Sequence, residues 1–412
     1  MRSKAERLLK EKQMPHGLVP SESVIAAPRV WVLTGNKAGD NSQVLALAEA
    51  LGWPFEIKRF VHTRFEIVPN MLLRSTIAGI DREQSSPLEA PWPDLVISAG
   101  RRNEPIARWI KKQAPQTVKT VHVGRPWSRL HHFDLIITTP QYRLPVRSNV
   151  LHNQTPLHRV NKERLVREAA RWQDRLAHLP RPFVTVVVGG SSGPYSFCTR
   201  AAERLAKDAC DFARRVGGSL LITTSARTPA PTIDVLEQNL DVPHFLFRWE
   251  PNGKDNPYFA FLGSAEHVIV TGDSMSMLAE ACATRKSVHI FDLGEGENAM
   301  RPETAEAAIA LRRARDANRP LEGTHIKAFL YRQMMRFGPE RLSRDIRIIH
   351  GYLVDSGRAV WLGDETRKDR PLPALDCLDR AVGRVRSLIE ATALVALPAT
   401  TEPALTSLRR SA

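Results

Sequence analysis

The stretch His267–Phe291, HVIVTGDSMSMLAEACATRKSVHIF, decides how the fold is read. Val268, Ile269 and Val270 form a short β-branched run of strand type. Thr271-Gly272-Asp273-Ser274 ends it, because Gly272 allows a tight turn and Asp273 and Ser274 are good helix N-caps. A helix is expected from Met275 to Thr284 and a second apolar strand from Val288 to Phe291. Strand, polar turn, helix and strand make one βαβ unit of a parallel sheet. The free N–H groups and positive dipole end of that helix suit a diphosphate. Glu280, two turns further on, suits hydrogen bonds from ribose hydroxyls.

The same alternation runs through the rest of the chain. Val30–Thr34, Phe55–Phe60, Asp94–Ser98, Val118–Val123 and Asp134–Thr138 read as strands. A helix over Ser42–Leu51 carries Val44, Leu45, Ala48 and Leu51 on one face, and another spans Glu104–Lys112. Asn161–Leu179 is amphipathic, with Leu165, Ala169, Trp172, Leu176 and Leu179 as its apolar stripe. Pro180 and Pro182 punctuate the chain. The pattern then restarts with strand Phe183–Val188, helix Cys198–Val216 and strand Leu220–Thr224. The fold class is α/β, with two Rossmann-like domains whose parallel sheets face across a cleft and a helical C-terminal region. The expected segments are a flexible tail (1–28), two domains (29–181 and 182–357), and a helical segment with a loose end (358–412). Helices are expected at Thr304–Arg315, Thr324–Arg336, Pro339–Leu353 and Leu375–Thr392.

Open parallel sheets bind ligands at the carboxyl ends of their strands, so the loops there are the candidate sites. Gly35-Asn36-Lys37-Ala38-Gly39-Asp40-Asn41 is neither GxGxxG nor a Walker loop. Asn36, Lys37 and Gly39 could meet a phosphate or an acceptor, and Asp40 could act as a base; Asp40 or Asn41 could equally be a plain N-cap. At that helix start the dipole is expected to lower the pKa of Asp40. Gly189, Gly190, Ser191, Ser192 and Gly193 offer backbone and hydroxyl donors to a phosphate. Gly189, Ser191 and Gly193 also have the spacing of a hydrolase nucleophile turn, but no Asp and His partners can be assigned to it. Thr224, Ser225 and Arg227 suit a nucleotide rim, or an exposed loop. Arg101, past a first-domain strand end, is a further candidate contact for a phosphate or an acceptor, or else a solvated loop residue. Tyr258–Gly263, YFAFLG, reads as core packing rather than a base-stacking platform.

Composition narrows the class. The chain has 412 residues, 42% apolar and 25% charged, which suits two globular domains. No apolar run reaches membrane-span length. Four cysteines, far apart, read as reduced thiols, and thirteen histidines contain no HExxH, so no metal site is expected. The net charge of +15 favours anionic partners. No helix-turn-helix, zinc finger or RNP motif accompanies it, so nucleic acid is not expected.

The motifs LTGNKAGDNSQVLALAEAL, ISAGRRNEP, VVVGGSSGPY, LITTSAR, NPYFAFLGSAEHVIVTGDSMSMLAEA and SVHIF together resemble one family. It comprises bacterial glycosyltransferases related to the plant mitochondrial-fission protein named for elongated mitochondria. The wider fold is similar to GT-B glycosyltransferases and to UDP-N-acetylglucosamine 2-epimerase. The resemblance implies a nucleoside-diphosphate sugar, most readily UDP-linked, as substrate. The second domain would hold it through Gly189–Gly193, Thr224, Ser225, Arg227, Asp273, Ser274, Met275 and Glu280. The first domain would hold the acceptor, with Asp40 at the position of the catalytic base, where GT-B proteins often carry His. No cofactor and no metal are implied. The acceptor would be a cell-envelope or lipid-linked molecule, and the protein cytoplasmic or peripheral on the inner membrane. The alternatives are a sugar-nucleotide epimerase and a non-catalytic fission-type scaffold.

Overall fold

The structure is a computed structural model, and it describes residues 27–63, 74–251, 253, 255–295, 299–301, 344–365 and 375–396. The helices expected at Thr304–Arg315 and Thr324–Arg336, and residues 1–26 and 397–412 of the two chain ends, lie outside the described residues.

Two separate six-stranded sheets form the scaffold. The first contains β1 (Val30–Thr34), β2 (Phe55–Arg59), β3 (Leu95–Ala99), β4 (Lys119–Val123), β5 (Leu135–Thr138) and β6 (Val150–His152). Its order is β2-β1-β3-β4-β5-β6. The second contains β7 (Phe183–Val187), β8 (Ser219–Thr223), β9 (His244–Phe247), β10 (His267–Thr271), β11 (Ser287–Phe291) and β12 (Val360–Trp361). Its order is β12-β11-β10-β7-β8-β9. Every ladder between these strands is parallel. This is the expected pair of Rossmann-like units. In both sheets the first strand of the unit lies inside, so its turn opens among neighbouring strand ends.

Helices connect and cover the sheets. They are α1 (Ala38–Leu51), α2 (Gly100–Gln113), α3 (Lys162–Leu176), α4 (Thr199–Val216), α5 (Ala230–Gln238), α6 (Tyr258–Ser264), α7 (Met275–Ala283), α8 (Arg347–Asp355) and α9 (Cys377–Ala396). Parallel strands alternate their side chains between two covered faces. Val30, Val32, Leu95, Ile97, Val121 and Val123 pack with Val44, Leu47, Ala381 and Val385 of α1 and α9. Trp31, Leu33, Val96 and Ile136 pack on the other face with Ile106, Ala107 and Ile110 of α2.

Two helices pack away from their neighbours in sequence. α9 returns from beyond the second sheet to lie on α1, with Asn153 Nδ2 donating to the Cys377 carbonyl at 2.9 Å and Arg386 to that of Leu51 at 3.1 Å. That cover explains why Ala46 and Leu47 of α1 are buried beyond the expected single face, while Leu45 is half-buried. α3 precedes the second sheet in sequence, yet Trp172 and Leu176 pack with Phe183, Leu221 and Phe261. An amphipathic stripe tells that a face is covered but not by which sheet.

Val385 of α9 is fully buried in the first-domain core. A charge there has no partner, so Val385→Asp should lower stability by about 3 kcal/mol in urea unfolding. An unchanged midpoint would mean that α9 is not docked.

Candidate functional site

Three strand ends meet at the carboxyl edge of the second sheet, because β10, β7 and β8 are neighbours. Their turns are knitted by polar contacts. Asp273 is buried and accepts the Thr271 hydroxyl at 2.7 Å, the Gly190 N–H at 3.1 Å and the Arg227 guanidinium at 2.8 Å. Thr271 Oγ1 accepts the Gly189 N–H at 2.8 Å. Thr228 donates to the Gly189 carbonyl at 2.6 Å, and Ser225 donates to the same oxygen. Arg227 also donates to the Ser191 carbonyl at 3.2 Å. The structure therefore brings Gly189, Gly190, Ser191, Ser225, Arg227 and Asp273 together at the start of α7.

Several expected roles change in detail. Neither Asp273 nor Asp40 caps its helix: Ser274 is the N-cap of α7 and Lys37 that of α1, and neither makes a side-chain cap bond. Asp273 instead joins the turns. The glycines are needed for protein packing as well as for any ligand: a Cβ on Gly189 would sit 2.4 Å from Asp273 Oδ2, and one on Gly190, at φ +156°, 2.2 Å from the Arg227 carbonyl. Thr224 accepts the Trp249 N–H at 2.8 Å, so its hydroxyl serves the scaffold. The Ser191 hydroxyl accepts the Phe197 N–H at 3.0 Å. Among the described residues no histidine or carboxylate bonds it, as a hydrolase nucleophile would require. Ser192 and Tyr195 pair through their backbones, closing the turn around Gly193.

Glu280 is buried in α7 and its carboxylate is engaged on both oxygens. Ser42 of α1 donates to one at 3.3 Å, and the Tyr258 hydroxyl of α6 donates to the other. Glu280 thus joins the two domains rather than standing free over the glycine turn. Burial raises its pKa, opposed by the hydrogen bonds from Tyr258 and Ser42. The starts of α1 and α7 face each other, since a Cβ on Gly39 would lie 3.4 Å from Ser276 Oγ.

On the first-domain side, Asn41 clamps the β1–α1 turn. Its Oδ1 accepts the Gly35 N–H at 3.0 Å and its amide donates to the Gly35 carbonyl at 2.7 Å. Asn36 and Lys37 are exposed beside it. Asp40 reaches the surface in part, but its carboxylate is enclosed against Gly100, where an added Cβ would lie 2.3 Å from Oδ2. Burial raises its pKa, opposed by Lys37 and Arg344. This corrects the expectation of a lowered pKa, because desolvation of the enclosed carboxylate outweighs the favourable charges nearby. Arg101 opens α2 next to Gly100.

Sequence reasoning missed three supports of the site. Tyr258 was hidden in an apolar hexapeptide that reads as core. His350 of α8 donates from Nε2 to the Gly272 carbonyl at 2.7 Å, and burial pushes its pKa down to about 4, so the ring is neutral. Arg344 donates to Gln141 at 2.8 Å, and Asp345 pairs with Arg143 at 3.1 Å, which ties the end of the second unit to the first. Among the described residues no three His, Cys, Asp or Glu side chains group to hold a metal, and no helix is long and apolar enough to cross a membrane.

Gly190→Ala should cost about 1–3 kcal/mol or more in denaturant unfolding, since both its backbone conformation and the Arg227 carbonyl oppose a Cβ; a neutral result would show that the turns do not pack this closely. The Asp40 carboxyl holds its proton at higher pH when folded than the ordinary 3.8. The ionised group therefore destabilises the fold at neutral pH, and that cost fades as pH falls through the raised value toward 3.8. Asp40→Asn should melt higher than the unmodified chain at pH 7, with the two melting temperatures converging in acid. Equal melting temperatures at pH 7 would show that Lys37 and Arg344 offset the burial completely.

Comparison with known proteins places the chain. A family profile described as mitochondrial fission ELM1 matches residues 38–334. The mitochondrial fission protein ELM1 of Arabidopsis thaliana is 31% identical over 245 residues, 53% of this chain; the match spans about half, 56%, of that relative. An uncharacterised protein of Rickettsia prowazekii is 25% identical over 298 residues, 64% of this chain and 82% of that one. Among solved structures, a glycosyltransferase of Rickettsia africae is 11% identical with a TM-score of 0.43, covering 89% of this chain and 99% of that one. UDP-GlcNAc 2-epimerase of Neisseria meningitidis bound to UDP-GlcNAc is 11% identical with a TM-score of 0.43, covering 87% and 100%. With a profile match over most of its length, the chain belongs to the mitochondrial fission ELM1 family.

Proposed function

We propose that this chain transfers a sugar from a nucleoside-diphosphate donor, UDP-linked, to an acceptor hydroxyl. The observation that carries the reading is the meeting of two helix starts, α1 and α7, at the contact between the sheets. Each helix start carries roughly half a positive charge, so two of them repel unless an anion lies between. Lys37 and Arg344 bring further positive charge to Asp40 on the α1 side, and Arg227 brings it to Asp273 on the α7 side. A diphosphate answers that field.

The division of labour follows from the chemistry. The α7 start and the Gly189–Gly193 turn would hold the diphosphate and stabilise the charge that grows on it as the sugar–oxygen bond breaks. Arg227 is 41% exposed, so it can reach a ligand while keeping its bond to Asp273. Asp40 would take the proton of the attacking hydroxyl, and its raised pKa suits a base better than an ordinary carboxylate does. Glu280 would exchange its bonds to Ser42 and Tyr258 for ribose hydroxyls, coupling donor binding to the domain contact. A cell-envelope or lipid-linked acceptor and a peripheral position on an anionic membrane fit the net charge of +15. No residue role here calls for a metal or a cofactor.

A second reading is a scaffold that works through protein contacts. The curated relative from Arabidopsis thaliana is named for mitochondrial fission, which favours it. An epimerase would need the donor site but no acceptor.

Calorimetric titration with UDP separates these. The transferase reading expects binding that Arg227→Gln weakens by about tenfold or more, the scale of a lost charged hydrogen bond. Asp40→Asn should leave UDP affinity unchanged while lowering sugar transfer by roughly a hundredfold or more. Absence of UDP binding would favour the scaffold; conversion of the donor sugar without an acceptor would favour the epimerase.

A further inference from the structure

One loop of the first domain combines basic charge with an apolar side chain that stands in water. Between Gly124 and Val150 the acidic residue is Asp134, and its carboxylate is taken up by Lys111 at 2.5 Å and by the Thr120 hydroxyl at 2.9 Å. The connection from β5 to β6 carries the exposed run Pro145-Val146-Arg147-Ser148. Val146 is 90% exposed, the most of any large apolar residue among the described residues. A lone exposed apolar side chain needs no explanation. Here its surroundings give it one.

Three elements converge on this tip. The Val150 N–H donates to the Arg147 carbonyl at 3.0 Å, which folds the tip into a turn. Asn149 donates to the carbonyls of Leu130 at 3.0 Å and Phe133 at 2.9 Å, so the turn lies against residues 129–133. Arg129 and His131 of that segment are exposed. Arg384 of α9, also exposed, donates to the Ser148 carbonyl at 2.6 Å. That partner is neutral, so the guanidinium keeps its charge. Among the described residues no carboxylate pairs with Arg129, Arg147 or Arg384.

We infer that this tip docks the chain on an anionic lipid bilayer, with Val146 entering the interface and Arg129, Arg147 and Arg384 meeting lipid phosphates. A bilayer takes an apolar tip and the cations around it at any lateral position, with no matched pocket. Nucleic acid would use the cations and leave the valine in water. The same connection carries Gln141, which accepts from Arg344, and Arg344 acts on Asp40. Val146 is five residues further along, so the two lie within about 18 Å of each other. Docking by this tip therefore brings the bilayer to the part of the first domain that holds Arg344. The inference rests on the proposed peripheral position at an anionic membrane, and it names the surface that makes the contact.

Co-sedimentation of the full chain with vesicles tests this, with equal parts of phosphatidylcholine and phosphatidylglycerol set against phosphatidylcholine alone. The chain should sediment with the anionic vesicles and stay in solution with the neutral ones. Val146→Asp should weaken the binding by about tenfold, the scale of one apolar side chain lost from the interface. Arg129→Gln and Arg147→Gln should each weaken it by about fivefold, the share of one cation near an anionic surface. Arg214→Gln, which removes the same charge from α4 in the second domain, should leave it unchanged. All four positions are exposed, so each variant should melt with the unmodified chain. UDP affinity should be the same in all of them, so failure of docking leaves the donor site standing, and failure of UDP to bind leaves the vesicle result readable. No binding to anionic vesicles, equal binding to neutral ones, or an equal loss in Arg214→Gln would overturn the inference. So would binding that survives Val146→Asp and both arginine changes in the tip, or duplex DNA held through the same arginines while vesicles are left unbound.

Discussion

The buried carboxylate of Asp273 sits where the ends of β7, β8 and β10 converge, and it receives a hydroxyl, a backbone N–H and a guanidinium from three different turns. Removing it from water costs free energy that only such partners offset. Burial raises its pKa, and Arg227 is the first influence opposing that rise. Gly189 and Gly190 are small because this carboxylate and the Arg227 carbonyl lie where their Cβ atoms would be. Fixing Asp273 therefore fixes the shape of the glycine turn, the place of Arg227 and the entry of α7. His350 supports the same turn from behind as a neutral donor.

Among the described residues, polar side chains link the two sheets at two places. Ser42, Glu280 and Tyr258 form one link, and Gln141, Arg344, Asp345 and Arg143 form another. Between them lie the starts of α1 and α7 and the enclosed carboxylate of Asp40. A polar, hydrogen-bonded contact of this kind can open more readily than an apolar one.

Much of the fold was legible in the sequence. HVIVT and the DLVIS run mark strands because both faces of a parallel sheet are covered, so the runs are continuously apolar. Gly-containing turns after β1 and β7 marked the carboxyl edges of the two sheets because strand ends in open α/β sheets share one side. What escaped was contact across the chain. Ser42 meets Glu280 across 238 residues, and His350 meets Gly272 across 78; no local spacing encodes either. Tyr258 looked like core because its neighbours Ala260, Phe261 and Leu262 are core. The raised pKa of Asp40 was hidden for the same reason, since helix position is local and enclosure by Gly100 is not.

Amide hydrogen exchange of the full chain, with and without UDP, tests the central claim most directly. If the convergent turns hold the diphosphate, UDP will slow exchange in the Gly189–Gly193 turn, around Arg227 and in the first turn of α7, leaving the strands of the first sheet unchanged. UDP that protects none of these segments, or protects only the first sheet, would contradict the account.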